Sequence, residues 1–504
     1  MDMDKSLVTL WGLSSSPGSH DNVTKVFVLY VLELLSEDIC NREDATAGLR
    51  LDVLGNALNE IMIPEGLYEQ HRKSRGKTAE LRSGREGWLA RICEYFAQCI
   101  KNVRMGGDRS LVKNMEGAAV KALNALRPTL SWVSMMAVIE IGCVDCLFLP
   151  FHTTETTLQI AAIEVMYALL SRPYNAHFHD AWLRLVHQSF QSDRIAMLEQ
   201  AYRRSGPGMT DDDELYTLQK KMSEVVSILA DSLAAQPDLV QMNLDLDSFF
   251  NLLTGILQSE SLIVSIPVLH SWVKLLAVQE VKIIDLVMKA LGVLLETCST
   301  RLLNYEALPE ESDDAIVRFL YDDFDTMPER HAFLGNYRRY CTTVIETIAR
   351  QRPLEALEHV LTQMRSMLDN GPYTGGRGFD PARYSKSSLP LLRFEAQFNV
   401  VQSVIKGFTR WESDITALAQ DDPLRGRADE DRAIANNIQQ QWCYAVINTH
   451  VDDPEVASQL LTLLSTALLK AERGFHTTCS AAHAHHAPIR RSRACHFLGS
   501  REEL

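Results

Sequence analysis

The sequence predicts an all-α fold, an α-solenoid built from HEAT-like antiparallel helix pairs. Three observations support this prediction. Apolar residues recur at helical spacing, the predicted helices are separated by short breaks, and successive pairs are spaced by about 40 residues. A single pair of this kind cannot bury its apolar stripe alone, so neighbouring pairs must cover it and the fold grows by stacking.

The helical spacing is clearest in the middle of the chain. A stripe at i, i+3, i+4, i+7 and i+11 begins at Met222 and ends at Leu233, and a similar stripe runs from Ile284 to Leu295. This spacing places apolar side chains on one face of a helix. The sequence shows no convincing series of alternating strands and no Asn-Gly turn between apolar runs, so a β-sheet is not predicted.

Short polar breaks give the helix boundaries in this region. One helix is predicted from about 221 to 235 and ends at Gln236-Pro237-Asp238. The next runs from about 247 to 258, a third begins near Leu262 and a fourth near Val281. Because the breaks are short, consecutive helices are expected to fold back on each other.

Three segments are predicted to be loops between helices: 203–214, 369–390 and 421–431, which combine Gly and Pro with Ser or charged residues. The final segment, 471–504, differs in kind. It is rich in His and Arg and lacks apolar periodicity, so it is predicted to be disordered, and the sequence leaves open whether it is native.

Composition narrows the class of protein. A chain of 504 residues is too long to fold around one compact core. Its net charge of −15 argues against a dedicated DNA-binding protein, because the protein as a whole repels phosphate. The 10 cysteines are scattered and no secretory signal opens the chain, which predicts reduced thiols in the cytosol or nucleus. The longest apolar runs are too short to cross a bilayer, so no membrane association is predicted.

No group of residues converges on an active site. The spacing of Cys143 and Cys146 would suit zinc or redox chemistry, but a zinc site needs four ligands, and the apolar run around the pair favours two cysteines packed in a helix. Gly76-Lys77-Thr78 has His71 where a phosphate-binding loop needs a glycine. We therefore predict that the chain is not an enzyme and uses no metal or cofactor.

The clearest candidate binding residues form a basic cluster near the start of the chain. Its members are His71, Arg72, Lys73, Arg75, Lys77, Arg82 and Arg85. Such a cluster can contact RNA phosphates or an acidic protein surface. The alternative interpretation is a solvated loop between two helices.

Several segments resemble one known family in the same order along the chain. They are 122–126 (ALNAL), 130–135 (LSWVSM), 158–172 (LQIAAIEVMYALLSR), 269–272 (LHSW) and 393–396 (RFEA). The family is exportin-5, within the karyopherin-β nuclear transport receptors, and the filamentous-fungal type is the most similar. The resemblance implies a karyopherin-type superhelix and extends to about Lys470.

A wider karyopherin pattern gives a second set of candidate residues. In that pattern an acidic segment precedes a helix that carries arginines, and Asp322, Asp323, Asp325, Arg338 and Arg339 match it. The resemblance therefore implies a functional segment at these positions.

The resemblance also implies a division of the chain. Residues 1–106 resemble part of an exportin-1/importin-β-like helical region, 107–470 resemble the exportin-5-type solenoid, and 471–504 form the tail. Members of the family are longer. We therefore expect this chain to lack the N-terminal repeats that grip Ran and the C-terminal half, and the sequence leaves open a fragment, a truncated gene model or a frameshift.

The implied function is nuclear export. The expected partners are Ran-GTP, phenylalanine-glycine nucleoporins, and a cargo of protein, including phosphorylated protein, or structured RNA. The receptor is expected to act as a monomer that shuttles between nucleus and cytoplasm. The alternative is a helical-repeat scaffold without transport activity.

Overall fold

The computed structural model describes residues 2–12, 21–40, 55–72, 84–173, 179–206, 213–242, 244–310, 312–374, 385–419 and 422–467. Within these ranges the chain consists of helices and their connections, with one isolated antiparallel bridge between Thr374 and Val451. The prediction of an all-α fold is confirmed. The chain forms two compact units, Met1–Cys298 with Leu308–Val344, and Ser299–Ala307 with Ile345–Leu504.

The helices follow one another with short connections. In chain order they are α1 (Asp2–Gly12), α2 (Asp21–Cys40), α3 (Asn56–Met62), α4 (Glu65–Arg72), α5 (Trp88–Met105), α6 (Arg109–Leu130), α7 (Met135–Ile141), α8 (Cys143–Phe148), α9 (Thr156–Leu170), α10 (His179–Ser189), α11 (Ser192–Arg204), α12 (Asp213–Ala235), α13 (Leu246–Leu257), α14 (Leu262–Leu275), α15 (Val281–Thr300), α16 (Ala315–Asp323), α17 (Met327–Gln351), α18 (Pro353–Asn370), α19 (Leu389–Ala417) and α20 (Pro423–Ile447). Residues 454–467 are also helical.

Helices α2, α6, α9, α12 and α14 of the first unit pack side by side in one row. Neighbours in the row run parallel, because their contacts advance together along both helices. Ser223 donates to the carbonyl of Val264, and the hydroxyl of Ser227 lies 2.9 Å from that of Ser271. The sequence separations of these two pairs are 41 and 44 residues. The separation at this interface matches the period expected from the sequence, whereas Ser36 and Thr129 at the interface of α2 with α6 are 93 residues apart.

Each helix pair is closed by a short turn that brings a second helix against the row. Helices α5 and α6 pack together and are joined at Gly106, where φ is 70°. Glycine adopts this left-handed conformation without the steric cost that other residues incur. Helices α13 and α14 are joined in the same way through Gln258–Ser261, and Ser261 caps α14 by accepting from Val264 N at 3.2 Å. These turns make the paired helices antiparallel.

Exposed ion pairs connect successive helix pairs. Arg127 and Glu164 join α6 to α9 at 3.1 Å, with a sequence separation of 37 residues. Lys289 and Asp247 join α15 to α13 at 2.8 Å, with a separation of 42 residues. Exposed pairs stabilise a fold by less than about 1 kcal/mol each. They follow the repeat period without fixing the packing, which depends on the buried apolar side chains.

The second unit contains α18, α19 and α20, which pack on one another. The buried Gln397 of α19 donates to the carbonyl of Val360 on α18 at 3.2 Å. Gly407 of α19 lies against the C-terminal turns of α17, where a Cβ atom would stand 2.3 Å from the carbonyl oxygen of Glu346. Only a residue without a side chain fits this close approach of two helices.

One loop prediction is wrong. The segment 421–431 was expected to be a loop, but α20 begins at Pro423 and includes most of it. Proline is tolerated in the first turn of a helix, and Ala428 one turn later is buried. Arg432 then pairs with Asp429 at 2.6 Å, so the charges lie on the exposed side of a packed helix. Local composition predicted a loop because it contains no information about this burial.

The other two loop predictions agree with the helix ends. Helix α11 ends at Arg204 and α12 begins at Asp213, while α18 ends at Asn370 and α19 begins at Leu389. Residues 207–212 and 375–384 within these loops, and the whole predicted tail 471–504, lie outside the described residues.

The apolar helices among the described residues are short. No helix in this part of the chain is by itself long and apolar enough to cross a membrane. Met135–Ile141 and Cys143–His152, which are bent by 64° relative to each other, meet the length and composition criteria only when taken together.

Candidate partner-binding surfaces

The basic cluster lies mostly outside the described residues. Helix α4 contains His71 and ends at Arg72, whereas Lys73, Arg75, Lys77 and Arg82 fall in the segment 73–83, which is not described. The structure therefore does not test whether these side chains form one surface, and their contact with cargo or RNA stays a prediction.

The described end of the cluster is Arg85. Its side chain is 90% exposed, and its Nε lies 3.3 Å from a carboxylate oxygen of Glu65. The backbone N–H of Glu65 also donates to the Arg85 carbonyl at 2.9 Å. Arg85 therefore lies beside the first turn of α4, with its side chain facing water.

The acidic segment contains one aspartate whose role is internal. Only 4% of the Asp323 side chain is exposed, and one carboxylate oxygen accepts from Lys220 Nζ at 2.7 Å. The other accepts from the Tyr216 hydroxyl at 2.6 Å. Asp323 therefore connects the end of α16 to the first turns of α12.

Tyr216 and Lys220 complete this cluster. The Tyr216 hydroxyl also lies 2.7 Å from the hydroxyl of Ser261, the residue that caps α14. Lys220 Nζ is 3.9 Å from the centre of the Tyr216 ring. At this distance the ammonium ion is attracted to the face of the aromatic ring. Burial and the hydrogen bond to Asp323 both raise the pKa of Tyr216, so it remains a neutral donor. We call Tyr216, Lys220, Ser261 and Asp323 the Asp323 cluster.

Replacing Asp323 by alanine is expected to destabilise the first unit by about 2 kcal/mol, because Lys220 and Tyr216 would lose their shared acceptor inside the protein. The free energy of unfolding in urea measures this effect. Asp322→Ala and Asp325→Ala are matched controls, since both side chains are exposed, and each should change stability by less than about 0.5 kcal/mol. Equal effects at all three positions would contradict a structural role specific to Asp323.

The arginines of the same pattern lie on α17. Arg339 donates to the side-chain oxygen of Asn336 at 2.8 Å and is exposed, and Arg338 is partly exposed. The ring of Tyr340 lies 3.9 Å from that of His270 on α14. Burial lowers the pKa of His270, and the positive charges of Lys274 and Arg339 lower it further. The exposed part of the pattern is therefore a basic patch on α17 that an anionic partner could contact.

Sequence reasoning identified Asp323 but missed its partners. Tyr216 and Lys220 are 107 and 103 residues away from it in the chain. No local motif connects positions at this distance, and the residues become neighbours only when α12 and α16 pack in one unit.

The cysteine pair packs as its apolar surroundings predicted. Cys143 and Cys146 lie on the short helix α8, and Cys143 is buried. The sulfur of Cys143 is 3.7 Å from that of Cys93, and this hydrogen bond raises the pKa of the Cys93 thiol well above its usual range. A hydrogen bond to Cys93, together with burial, also raises the pKa of Cys146. The thiols of Cys93 and Cys146 therefore stay protonated at neutral pH, and a protonated thiol is a poor nucleophile.

Among the described ranges, no group of three or more His, Cys, Asp or Glu side chains is arranged to hold a metal ion. The described part of the chain has exposed helix faces and ion pairs between neighbouring helices. Extended helical surfaces of this kind suit the binding of other macromolecules.

A comparison with protein families decides the class of this chain. The sequence model of the Exportin-5 family matches residues 213–473. The chain belongs to the Exportin-5 family. The match begins at α12, the helix that carries Tyr216 and Lys220, and extends through α20.

Two curated fungal relatives agree with membership in the Exportin-5 family. "Uncharacterized protein C328.01c" of Schizosaccharomyces pombe is 23% identical over 92% of this chain and 35% of its own length. "Protein MSN5" of Saccharomyces cerevisiae is 22% identical over 82% of this chain and 31% of its own length. The chain thus spans about a third of the length of the curated relatives that it matches.

Solved structures include more distant similarities. The crystal structure of Kap121p bound to RanGTP aligns with 94% of this chain and 45% of its own chain, at 12% identity and a TM-score of 0.39. A similarity of this size adds nothing to the assignment, which depends on the Exportin-5 family match.

Proposed function

We propose that this chain is a segment of a nuclear export receptor, which carries protein or structured RNA through the nuclear pore together with Ran-GTP. The single observation that supports the proposal best is the Exportin-5 family match over residues 213–473. The chain spans about a third of the length of its curated relatives, so the activity and partners of the whole receptor are part of the proposal.

A stack of helix pairs suits this function physically. Each interface in the row combines buried apolar residues with polar contacts such as Ser227–Ser271, and exposed ion pairs such as Arg127–Glu164 cost little to rearrange. Small rotations at many interfaces add up to a large change in a solenoid. Ran-GTP and cargo can then be coupled, provided that both bind the same arrangement of the stack better than its alternatives.

The proposed partners follow from the same function. They are Ran-GTP, phenylalanine-glycine nucleoporins, and either protein cargo, including phosphorylated protein, or structured RNA. The receptor would shuttle between nucleus and cytoplasm and would need no chemistry of its own, since the GTPase hydrolyses the nucleotide.

The test is a pull-down of the chain with Ran loaded with GTP or with GDP. The expected result is at least about tenfold more chain bound to the GTP form, because coupling requires differential affinity for the two states of Ran. Equal binding to both forms would favour the alternative of a helical-repeat scaffold, whereas no binding to either form would place the Ran contacts outside this segment of the receptor. Protein MSN5 of S. cerevisiae, a relative about three times as long, is assayed beside this chain. It shows whether the pull-down can detect binding of a longer relative to Ran.

The basic cluster gives a separate prediction about cargo. Changing Arg82 and Arg85 to glutamate should weaken the binding of an anionic cargo by about tenfold at low salt and reduce the salt dependence of binding, because fewer ions are released on association. Structured RNA and a phosphorylated protein are the two probes. Arg203→Glu is the control, since Arg203 is an exposed arginine elsewhere in the first unit. Binding that does not change at any salt concentration would remove the cluster from the cargo site.

A further inference from the structure

Helix α2 carries an uncovered apolar ridge. Val23, Phe27, Tyr30 and Leu34 are 67%, 54%, 48% and 46% exposed. They fall at i, i+4, i+7 and i+11, so they form one line about 16 Å long on a single helix face. Single exposed apolar residues are common on protein surfaces, whereas a contiguous line of large ones marks a contact.

The ridge is not the result of a helix that packs with the wrong side inward. Val28, Leu29 and Leu32, on the other side of α2, are fully buried. The hydroxyl of Ser36 lies 2.9 Å from that of Thr129, and Glu33 pairs with Lys121 at 2.5 Å, both across the interface with α6. The rotation of α2 is therefore fixed by its core and by its neighbour in the row.

A comparison with α12 shows what the ridge would face. Ser36 of α2 and Ser227 of α12 have equivalent positions, because each contacts a hydroxyl of the next helix in the row, Thr129 or Ser271. Counting back two residues and nine residues from each serine therefore reaches the same face of each helix.

The two helices differ sharply at those positions. On α2 they are Leu34 and Phe27, which are 46% and 54% exposed. On α12 they are Val225 and Leu218, and both are 1% exposed. Helix α12 has a neighbour on each side in the row, α9 and α14. Among the described helices, α2 contacts α6 in the row and the short helix α1, and α1 leaves the ridge exposed. The ridge thus has the position that a preceding row neighbour would cover.

We propose that Val23, Phe27, Tyr30 and Leu34 dock an amphipathic helix that runs parallel to α2 and belongs to a further helix pair of an Exportin-5-family solenoid. The continuity of the row supports this occupant, because the ridge continues an interface that already repeats from α2 to α14. The curated relatives, with about two thirds of their length outside the similarity, contain chain that could supply such a helix. The proposal depends on packing and not on the transport function.

The chemistry of the occupant follows from the ridge and its edges. Three of the four side chains are purely apolar, and Tyr30 lies beneath Lys121 Nζ, which is 4.5 Å from the centre of its ring. The exposed Glu37 stands one turn beyond Leu34. The docking helix should therefore present an apolar stripe with period 3.6, and a Lys or Arg opposite Glu37.

The experiment co-expresses the full chain with each of the two parts of the S. pombe relative that flank its region of similarity, and measures complex formation and mass by size exclusion with light scattering. We expect a one-to-one complex with one flank. Phe27→Glu with Leu34→Glu should reduce the amount of complex by at least about tenfold, because two charges would be buried in an apolar contact.

The matched control is Val281→Glu with Met327→Glu, two exposed apolar residues that are 69% and 61% accessible at helix starts elsewhere. It should leave the complex unchanged. Both double variants should keep the wild-type circular dichroism and melting temperature, since all four side chains are exposed. Absence of a complex with either flank, or a complex that both double variants retain, would overturn the proposal. A homodimer dissolved by Phe27→Glu with Leu34→Glu would assign the ridge to a second copy instead.

Discussion

Substituting Gly407 by alanine is expected to destabilise the second unit by about 3 kcal/mol. The new Cβ would lie 2.3 Å from the carbonyl oxygen of Glu346 and 2.7 Å from the Cβ of Ala349. Both atoms belong to helical backbone or to its first side-chain carbon, which cannot rotate away. Relief of the clash therefore requires α17 and α19 to separate.

The separation would also disturb an ion pair beside the crossing. Arg410, one turn beyond Gly407, pairs with the Glu346 carboxylate at 2.7 Å, and 9% of that glutamate side chain is exposed. A shift of α19 would lengthen this contact and partly expose the carboxylate. The loss of stability should thus combine steric and electrostatic parts.

Urea unfolding followed by circular dichroism measures the effect. Gly426→Ala, in α20 of the same unit, is the matched control, because a Cβ there would have no heavy atom within 4 Å. Alanine is the better helix former, so Gly426→Ala should stabilise the unit by up to about 1 kcal/mol. A stabilisation at both positions would show that the close approach at Gly407 is wrong.

Replacing Arg172 by alanine is expected to destabilise the first unit by about 3 kcal/mol. Its guanidinium lies at the C-terminal end of α6 and donates to the carbonyl oxygens of Leu130, Trp132 and Val133 at 3.3, 3.3 and 2.5 Å. The last carbonyl groups of a helix have no partners within the helix. Arg172 satisfies the carbonyl of Leu130, the last residue of α6, and two carbonyls of the turn that follows it. Removing it would leave these acceptors without partners in a partly buried position.

Burial lowers the pKa of Arg172 to about 10, so the group is still protonated at neutral pH and keeps all of its donors. Arg172→Lys should recover only part of the lost stability, because a single ammonium group cannot reproduce the planar fork that reaches three acceptors. The control is Arg127→Ala, which removes an exposed ion pair with Glu164 and should change stability by less than about 1 kcal/mol. Equal losses in Arg172→Ala and Arg127→Ala, measured by urea unfolding, would contradict this role.

Several residues in the segments that resemble the family have a structural role. Arg172 ends the segment 158–172, one of those that resemble the family, and the structure shows that it caps α6. Trp132 and Trp272, in two other resembling segments, are buried. These three residues of the resembling segments therefore stabilise the packing of the helices. Their contribution is to the fold and not to an exposed surface.

The candidate binding residues were predictable only in part. Exposure of Arg85 follows from its position in a charged, Gly-containing segment. Asp322 and Asp323 are adjacent and identical in type, yet one is exposed and the other accepts hydrogen bonds from two residues of α12. Sequence alone cannot tell which of the two aspartates is exposed, because this depends on which helix packs against the end of α16.

The error at 421–431 has the same origin. Charges, Pro and Gly indicated a loop, whereas Ala428 and Ala435 bury one face of α20 and make the segment helical. Tertiary burial can override weak local preferences, since it contributes more than the difference in helix propensity.

The sequence by itself determined the all-α class, a spacing of about 40 residues in the middle of the chain and several helix ends there, because spacing at i, i+3, i+4 and i+7 and breaks such as Gln236-Pro237-Asp238 act between near neighbours in the chain. The start of α12 at Asp213, eight residues before the predicted position, was missed. Only the tertiary structure decided that Asp323 is internal and that the ridge on α2 is open. Both depend on side chains from helices far apart in sequence, and their proximity is a property of the packed row.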